Sequence, residues 1–324
     1  MIHCNKLFGI SLFLSSGFLL VVDSFPPGAV PPVVTGSYKA AAAAAAAPSI
    51  NKPDASATVP DDFWSQTRSK EEVQSHVLAC LASVADQQAA AATDPTSTLT
   101  HPVVTERVEV VSSEPPLVAI HNFISPQMCN DIIESAKENE NWKQSTLGSE
   151  QKKSEDRTSS TVWLKDAECQ DPSRLIAAKV ASLTGLDTIN MENLQVVRYD
   201  RGQAFNLHTD HQDTFNELDF RGRLATCLIY LSEPEMGGET WFPGLASNDD
   251  DSQEEGIKIA PIMGSAVFFW NTMEKPGIVD YDPNMFLNTD IRMRHAGLPV
   301  DQGEKWICNR WIHPVDFGAG VRGI

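Results

Sequence analysis

The sequence has few basic residues for its length, and this shortage excludes several functions. Its 324 residues include 25 Lys and Arg against 43 Asp and Glu, which gives a formal net charge of −18. Nucleic-acid binding requires clustered Lys and Arg opposite the phosphates, and an anionic membrane surface attracts the same residues. We therefore expect no nucleic acid among the partners of this protein and no electrostatic docking on a membrane.

Cysteine is also scarce, and the few cysteines form no known pattern. Six cysteines in a chain of this length do not make a disulfide-dense scaffold, and their spacing contains neither a CxxC pair nor a zinc-finger arrangement. Cys227 and Cys308 fall in apolar runs that are typical of buried thiols, whereas Cys80, Cys129 and Cys169 are freer to pair. The sequence indicates an acidic globular protein, either an enzyme or a binding domain.

The N-terminal apolar run is too short for an ordinary membrane span. It covers 16 residues, 7–22, whereas a helix needs ~20 to cross the bilayer core. A weakly basic head precedes the run, and the small residue Ser24 stands before a helix-breaking Phe25-Pro26-Pro27. These flanks predict a cleaved signal peptide over residues 1–24 and a location in the endoplasmic reticulum or Golgi lumen. An uncleaved signal anchor is the alternative, and only then would the protein be attached to a membrane.

A second destination remains open, because Phe25 is followed by a stretch rich in Ala, Ser and Pro. This composition resembles the bipartite leaders that direct proteins to secondary plastids. Residues 25–114 as a whole are interpreted as a low-complexity linker with an eight-alanine run at residues 40–47. Within the linker, Ser69 and Glu72 form a capping box, and apolar residues at helical spacing predict a helix over 69–92.

The character of the sequence changes near residue 115, where we place the start of an α+β domain that ends at 317, followed by a tail over 318–324. Two amphipathic helices are predicted, over 125–138 and about 173–184. Short β-like runs separated by glycine-containing turns predict a sandwich, barrel or jelly roll. The predicted strands cover residues 117–120, 194–199, 225–231, 240–242, 257–262, 266–270 and 305–313.

His208 and Asp210 form the sharpest chemical motif. On a strand, residues two apart point to the same face, so the imidazole and the carboxylate are presented together. A second histidine would complete the two-His-one-carboxylate triad that binds non-haem Fe(II) and leaves coordination positions open. His295 is the candidate, His313 is an alternative in another strand run, and His211 would face away from His208. These residues alone leave open whether the motif is an iron site or a solvated turn.

Lys305 lies ten residues after His295 in an aromatic and otherwise uncharged run, Trp306-Ile307-Cys308. An amine that points into a barrel is costly unless an anion meets it. A dicarboxylate co-substrate would supply that anion. The alternative is a lysine whose stem follows the barrel wall and whose charge reaches water.

Residues 115–317 resemble the catalytic domain of the prolyl 4-hydroxylases, members of the iron- and 2-oxoglutarate-dependent dioxygenase superfamily. The resemblance rests on motifs that occur in the same order along the domain. Each motif alone is weak evidence, whereas the ordered set is strong evidence. The motifs are Asn122-Phe123, Arg157-Thr158-Ser159-Ser160, Glu192 to Tyr199, His208-Thr209-Asp210, Arg223 to Thr226, Tyr230-Leu231-Ser232, Gly237-Gly238-Glu239-Thr240, Phe242-Pro243, Pro261 to Trp270, His295, Pro299-Val300 and Gly303-Glu304-Lys305-Trp306.

The resemblance implies a double-stranded β-helix (jelly-roll) core and a hydroxylation of peptidyl proline that releases succinate and CO2. The implied cofactors are Fe(II), the co-substrates 2-oxoglutarate and O2, and ascorbate. The implied residues are His208, Asp210 and His295 for Fe(II), Lys305 for the far carboxylate of 2-oxoglutarate, Tyr199, Thr240 and Trp311 for the lining of that pocket, and Phe205, Arg223 and His313 for the peptide substrate.

Three departures from the family pattern leave the substrate open. Phe205 stands where many members carry a tyrosine, His211 replaces the usual aromatic residue after the aspartate, and Trp241 is unusual between Thr240 and Phe242. An oxygenase that acts on another side chain or a small molecule is therefore an alternative, as is a non-catalytic module that binds proline-rich peptides. A zinc hydrolase is disfavoured, because no carboxylate is placed as a general base beside a closed histidine set.

Overall fold

The computed structural model describes residues 64, 68–92, 106–145, 158–166, 168–211, 222–245, 256–273 and 288–314. The predicted signal peptide, the alanine-rich part of the linker and the C-terminal tail lie outside these residues. None of the helices in the described ranges has the length and apolar character that a membrane crossing requires.

Three α-helices and sixteen strands make up the described structure, together with two 3-10 helices at Thr188–Asn190 and Ile291–Met293. The helices are α1 (Lys70–Ala92), α2 (Pro126–Glu138) and α3 (Gln170–Thr184). The strands are β1 (Arg107–Ser113), β2 (Pro116–His121), β3 (Lys143–Gln144), β4 (Ser160–Leu164), β5 (Leu194–Tyr199), β6 (Phe205–His208), β7 (Ala225–Tyr230), β8 (Met236–Gly237), β9 (Thr240–Phe242), β10 (Ile257–Ile259), β11 (Ala266–Trp270), β12 (Thr272–Met273), β13 (Asn288–Thr289), β14 (His295–Gly297), β15 (Val300–Gln302) and β16 (Lys305–Ile312).

The strands form two main sheets that pack against each other. The major sheet has the order β1-β2-β11-β7-β16-β5-β4-β3 and the minor sheet the order β10-β9-β14-β6, and the strands pair antiparallel in both. One apolar cluster contains residues of both sheets, such as Val197, Tyr230 and Phe269 from the major sheet and Phe242 from the minor one. Two antiparallel sheets around a shared interior form a jelly roll, as predicted.

The major sheet is buried on both of its faces. Val196 and Ile229 belong to the cluster on the helical side, whereas their neighbours Val197 and Tyr230 belong to the cluster between the sheets. Because side chains alternate along a strand, a sheet covered on both sides needs apolar residues at successive positions. This double burial explains why β7, whose six residues are all buried, is a continuous apolar run rather than an alternating one.

Helices α2 and α3 cover the outer face of the major sheet. Helix α2 begins where predicted, because the Ser125 hydroxyl accepts a hydrogen bond from the backbone N–H of Met128 and Pro126 occupies the first turn. Helix α3 begins at Gln170, earlier than the predicted 173, because a proline within the first turn is compatible with a helix. It ends at Gly185, whose φ of 67° is a left-handed cap.

The folded domain begins before the predicted boundary at residue 115. Strand β1 pairs with β2 at the edge of the major sheet, and α1, predicted at 69–92, packs against β1 and α3. Trp64 donates its indole N–H to the carbonyl of Leu183, 3.1 Å away. The predicted boundary was placed after β1 because this strand is polar on its exposed face and buries only Val108 and Val110. A half-exposed edge strand therefore has the composition of a linker.

The five cysteines of the described part of the chain are free thiols. Cys129, Cys169, Cys227 and Cys308 are buried, and Cys80 is partly buried. Burial raises the pKa of Cys129, Cys169 and Cys227 to about 12, which keeps these thiols protonated at neutral pH. Cys227 and Cys308 are buried, as expected. Cys80, Cys129 and Cys169, which were thought freer to pair, form no disulfide among the described residues.

Candidate metal centre and co-substrate pocket

His208, Asp210 and His295 lie together in the structure. Each offers one ligand atom, and these atoms all lie within 4.8 Å of one another. His208 ends β6 and His295 begins β14, and the two residues are directly paired in the minor sheet. Their ring centroids are 4.3 Å apart. No other group of three or more metal-binding side chains occurs in the described residues.

Both imidazoles have one nitrogen held by the backbone. The Nδ1 of His208 lies 2.8 Å from the carbonyl oxygen of Asn206, and the Nδ1 of His295 lies 3.0 Å from that of Met293. A carbonyl oxygen accepts only, so each Nδ1 carries the proton and each Nε2 keeps its lone pair for a metal. Phe205 stacks on the His208 ring with a centroid separation of 3.6 Å, which fixes the plane of that ring.

Asp210 supplies a carboxylate whose orientation is also fixed. Its Oδ2 accepts hydrogen bonds from Thr226 Oγ1 at 2.7 Å and from Trp311 Nε1 at 3.0 Å. Asn271 in turn donates to Thr226 Oγ1 at 2.8 Å. Burial alone would raise the pKa of Asp210, but His295, His208 and Arg223 outweigh it and hold the pKa well below its ordinary value. The carboxyl group is therefore ionised at neutral pH and held in one position.

His295 is ready to bind a metal at neutral pH. Its pKa is lowered to about 4, first by burial and then by His208, against the opposing effect of Asp210. Two neutral imidazole nitrogens and one carboxylate oxygen are the donor set of a facial triad for Fe(II). Because the described residues add no fourth ligand to this group, the donor set fits an ion that keeps positions for other molecules.

Lys305 is buried in the same interior. Its Nζ donates a hydrogen bond to the carbonyl oxygen of Gly238 at 2.6 Å and lies 5.5 Å from the ring centroids of both Tyr199 and Tyr230. Burial lowers the pKa of Lys305 to about 7, against the opposing effect of Glu239. No carboxylate forms an ion pair with it in the described part of the chain. The alternative of a lysine that extends to water is wrong, since its exposure is 2%.

Two residues predicted to line the co-substrate pocket, Tyr199 and Thr240, are buried, as Lys305 is, and their contact with the co-substrate stays a prediction. Tyr199 is paired with Lys305 across β5 and β16, and its hydroxyl is close to Gly297. Thr240, at the start of β9, is buried and its Oγ1 accepts a hydrogen bond from the Tyr230 hydroxyl at 2.8 Å. A buried ammonium group and a buried threonine hydroxyl are suitable donors for a carboxylate.

Trp311 lies on the inner face of β16 and contacts the metal site more directly than predicted. Its indole N–H is bonded to Asp210, and the guanidinium carbon of Arg223 lies 3.4 Å from its ring centroid. The structure therefore places Trp311 between Asp210 and Arg223. Its role in lining the pocket of the co-substrate stays a prediction.

Glu192 organises the two residues that were predicted to contact a peptide. Arg223 donates to its carboxylate from Nε at 2.6 Å and from a terminal nitrogen at 3.1 Å, and the Nε2 of His313 lies 2.8 Å from it. Burial alone would raise the pKa of Glu192, but Arg223 and His313 lower it to about 2. His313 is thus excluded as the alternative metal ligand, and its side chain is interior, with 2% exposure for the residue. Its peptide contact stays a prediction.

Four residues of the site were not predicted: Glu192, Thr226, Tyr230 and Asn271. Glu192, Thr226 and Tyr230 stood in motifs of the resemblance without a role attached to them. Asn271 had a weaker signal, namely a polar residue directly after a strand whose members are apolar. His211 follows Asp210, has an exposure of 0% and is outside the three-residue metal group, and its orientation away from His208 stays a prediction.

An antiparallel jelly roll with this triad and a buried, carboxylate-free lysine in one interior defines an Fe(II)- and 2-oxoglutarate-dependent oxygenase. The sequence model of the 2OG-Fe(II) oxygenase superfamily matches residues 194–313.

The chain belongs to the prolyl 4-hydroxylase family. It is 33% identical to the "Probable prolyl 4-hydroxylase 3" of Arabidopsis thaliana over 222 residues, which cover 64% of this chain and 73% of that protein. It is 34% identical to the "Prolyl 4-hydroxylase 2" of the same plant over 228 residues, 65% of this chain and 71% of that protein. Among solved structures, the viral collagen prolyl hydroxylase vCPH from Paramecium Bursaria Chlorella virus-1 shows 29% identity and a TM-score of 0.46, with 61% of this chain and 96% of that chain covered.

Proposed function

We propose that this protein hydroxylates proline residues in a peptide or protein substrate, with 2-oxoglutarate as co-substrate. The observation that carries the proposal is the convergence, inside one jelly roll, of the His208, Asp210 and His295 ligand atoms with the carboxylate-free amine of Lys305. The relatives named prolyl 4-hydroxylases supply the choice of proline.

Each part of the site has a task that follows from its contacts. His208, Asp210 and His295 would hold Fe(II), and the backbone carbonyls, Thr226 and Trp311 keep their donor atoms in place. With 2-oxoglutarate and O2, bound Fe(II) supplies an oxidation that adds one oxygen atom to a C–H bond and one to succinate, with release of CO2. Three phenylalanine rings pack against the imidazoles of His208 and His295 and would shield this centre from water. They are Phe205, Phe242 and Phe269.

Lys305 and Thr240 bind the far carboxylate of 2-oxoglutarate in this proposal. A buried ammonium group beside an anion regains the stabilisation that it loses on leaving water. The same pair gives selectivity for a dicarboxylate, because a 2-oxo acid without a far carboxylate would leave both donors unsatisfied. Lys305→Ala should therefore raise the requirement for 2-oxoglutarate severely.

The decisive experiment uses the full chain, loaded with iron, and a panel of proline-rich peptides analysed by mass spectrometry. The expected product carries one additional oxygen atom on proline, in a reaction that needs 2-oxoglutarate and, in this proposal, ascorbate. Asp210→Ala should abolish the reaction, and Leu78→Ala, an exposed position of α1, serves as the control. Oxygen on another residue type would support the alternative substrate, which the stacking of Phe205 on His208 in place of a tyrosine keeps open.

The compartment is a further part of the proposal. The apolar run at residues 7–22 with its flanks supports entry into the secretory pathway and a location in the endoplasmic reticulum or Golgi lumen. Fusions of residues 1–24 and 1–62 to a fluorescent protein test this. Lumenal fluorescence with both fusions is expected, whereas plastid fluorescence with the longer one would favour the bipartite leader.

A further inference from the structure

Strand β1 is the longest of the four edge strands of the two main sheets in the described structure. It has seven residues, whereas β3, β10 and β6 have two, three and four. An edge strand presents backbone N–H and C=O groups to which another chain can add a strand, and native folds limit this by keeping edge strands short or covering them. Strand β1 is therefore the edge of this fold that most needs a cover.

Helix α1 supplies that cover. The Gln74 Nε2 donates a hydrogen bond to the Val108 carbonyl at 2.8 Å, and the Lys70 Nζ donates one to the Val111 carbonyl at 3.1 Å. Both carbonyls thus point away from β2 and toward the helix. Val111 is skipped in the register between β1 and β2, so it belongs to a bulge. Two side chains of α1 therefore occupy acceptors that an added strand would use.

The helix is held in this place by contacts that do not involve β1. Its apolar residues Val73, Val77 and Leu81 have exposures of 0% to 1% and belong to the cluster on the helical side of the major sheet. The Ser182 hydroxyl of α3 donates a hydrogen bond to the Cys80 carbonyl at 2.7 Å. A charge placed in the apolar face of α1 should therefore release the helix while β1 itself keeps its sequence.

The first half of β1 is complementary to a second copy of itself. Arg107 and Glu109 are exposed, and Arg107 Nη1 lies 3.8 Å from the nearer Glu109 oxygen. In a two-fold antiparallel pair centred on Val108, Arg107 of each copy would lie opposite Glu109 of the other. Opposite charges directly across two strands stabilise their pairing. The outward Val108 carbonyl makes the central pair one in which two residues exchange N–H···O bonds.

We propose that the edge of β1 is a self-association surface that α1 masks. While α1 is docked, the chain does not pair through β1, and release of the helix lets two copies join their major sheets into one continuous sheet. The inference does not depend on the proposed function, since none of these residues belongs to the metal centre or to the residues assigned to the co-substrate.

Analytical ultracentrifugation of the full chain tests the mask. Val77→Asp places a carboxylate in the buried face of α1 and should release the helix, so that the dissociation constant of the dimer falls at least tenfold below that of the wild-type chain. Leu78→Asp is the matched control, because the same change at an exposed position of the same helix leaves the mask in place. This variant should sediment like the wild-type chain.

Charge reversal separates pairing through β1 from association through any newly exposed apolar surface. In the Val77→Asp background, Arg107→Glu would place two like-charged pairs across the two-fold axis and should raise the dissociation constant of the dimer about tenfold. Adding Glu109→Arg restores opposite charges in the reversed order, and the dimer should return. Association through an apolar face would not respond to the order of these charges.

The inference is overturned if a folded Val77→Asp variant stays as monomeric as the wild-type chain, or if its dimer ignores the charge reversal. A wild-type chain that already forms the charge-dependent dimer would also overturn it. Circular dichroism shows whether Val77→Asp is folded. If it is not, Lys70→Ala with Gln74→Ala decides, because this pair removes the two hydrogen bonds to β1 and keeps the apolar face. The dissociation constant of the dimer should then fall about threefold, and no change would refute the mask.

Discussion

The affinity for 2-oxoglutarate should depend on pH through Lys305. The pKa of this amine is lowered to about 7 by burial, from an ordinary value of 10.5. Such a shift corresponds to roughly 5 kcal/mol of stabilisation that the ammonium group lacks in the empty pocket. A carboxylate returns part of it, so 2-oxoglutarate binds the protonated lysine and raises its pKa.

The sign of the effect follows from that pKa. Below pH 7 the amine is charged in the free protein and binding is strongest. As the pH rises through 7, the lysine loses its proton and the apparent dissociation constant grows about tenfold per pH unit. At pH 8 binding should thus be about tenfold weaker than at pH 6. His295, whose pKa is about 4, stays neutral across this window, and Glu239 is the carboxylate that opposes the shift.

Calorimetry at several pH values between 6 and 9 measures this dependence without turnover. Two variants at the same position serve as controls. Lys305→Met should bind weakly at every pH, because the charge is gone, and Lys305→Arg should show no pH dependence, because a guanidinium keeps its proton throughout. A flat profile in the wild-type protein, or a pH dependence that survives in Lys305→Met, would refute the reasoning.

The remaining predictions concern the metal site, the ion pair and α1. Thr226→Val should weaken Fe(II) binding about 10- to 100-fold in a metal titration, because Asp210 loses a fixed donor; unchanged binding would contradict this. The ionised Glu192 should contribute roughly 3 kcal/mol to the free energy of unfolding. This contribution is present above the pKa of Glu192 in the unfolded chain and is lost as the pH falls toward 2. Glu192→Gln should therefore flatten that part of the pH–stability curve. In thermal unfolding, Leu81→Ala should cost about 3 kcal/mol and Leu78→Ala, 41% exposed, close to nothing; equal losses would show that α1 is not docked.

Much of the fold and the ligand set could be predicted because their signals are local. The apolar run from Ala225 predicted the strand β7, and His208 with Asp210 predicted a shared face at a spacing of two. For the same reason, the lysine in an apolar strand indicated either an anion that meets the buried charge or a stem that reaches water, and the resemblance implied the anion.

The supporting residues could not be predicted because their roles depend on strand register. In the sequence, Thr226 cannot be distinguished from an ordinary β-branched strand residue. Only its pairing with Trp311 across β7 and β16 brings both side chains to Asp210. Glu192 likewise depends on the meeting of Arg223 and His313 from distant parts of the chain. Strand β1 was missed for a different reason, since its exposed face is as polar as a linker.

The pairing of His208 with His295 has a consequence for folding. Strand β6 is an edge strand, and two residue pairs join it to β14. An ion bound by both imidazoles would cross-link these two strands. Metal binding should therefore stabilise the pairing of β6 with β14, and a paired β6 should in turn retain the ion. Iron depletion should thus loosen the rim of the jelly roll locally while the helix-covered sheet stays folded.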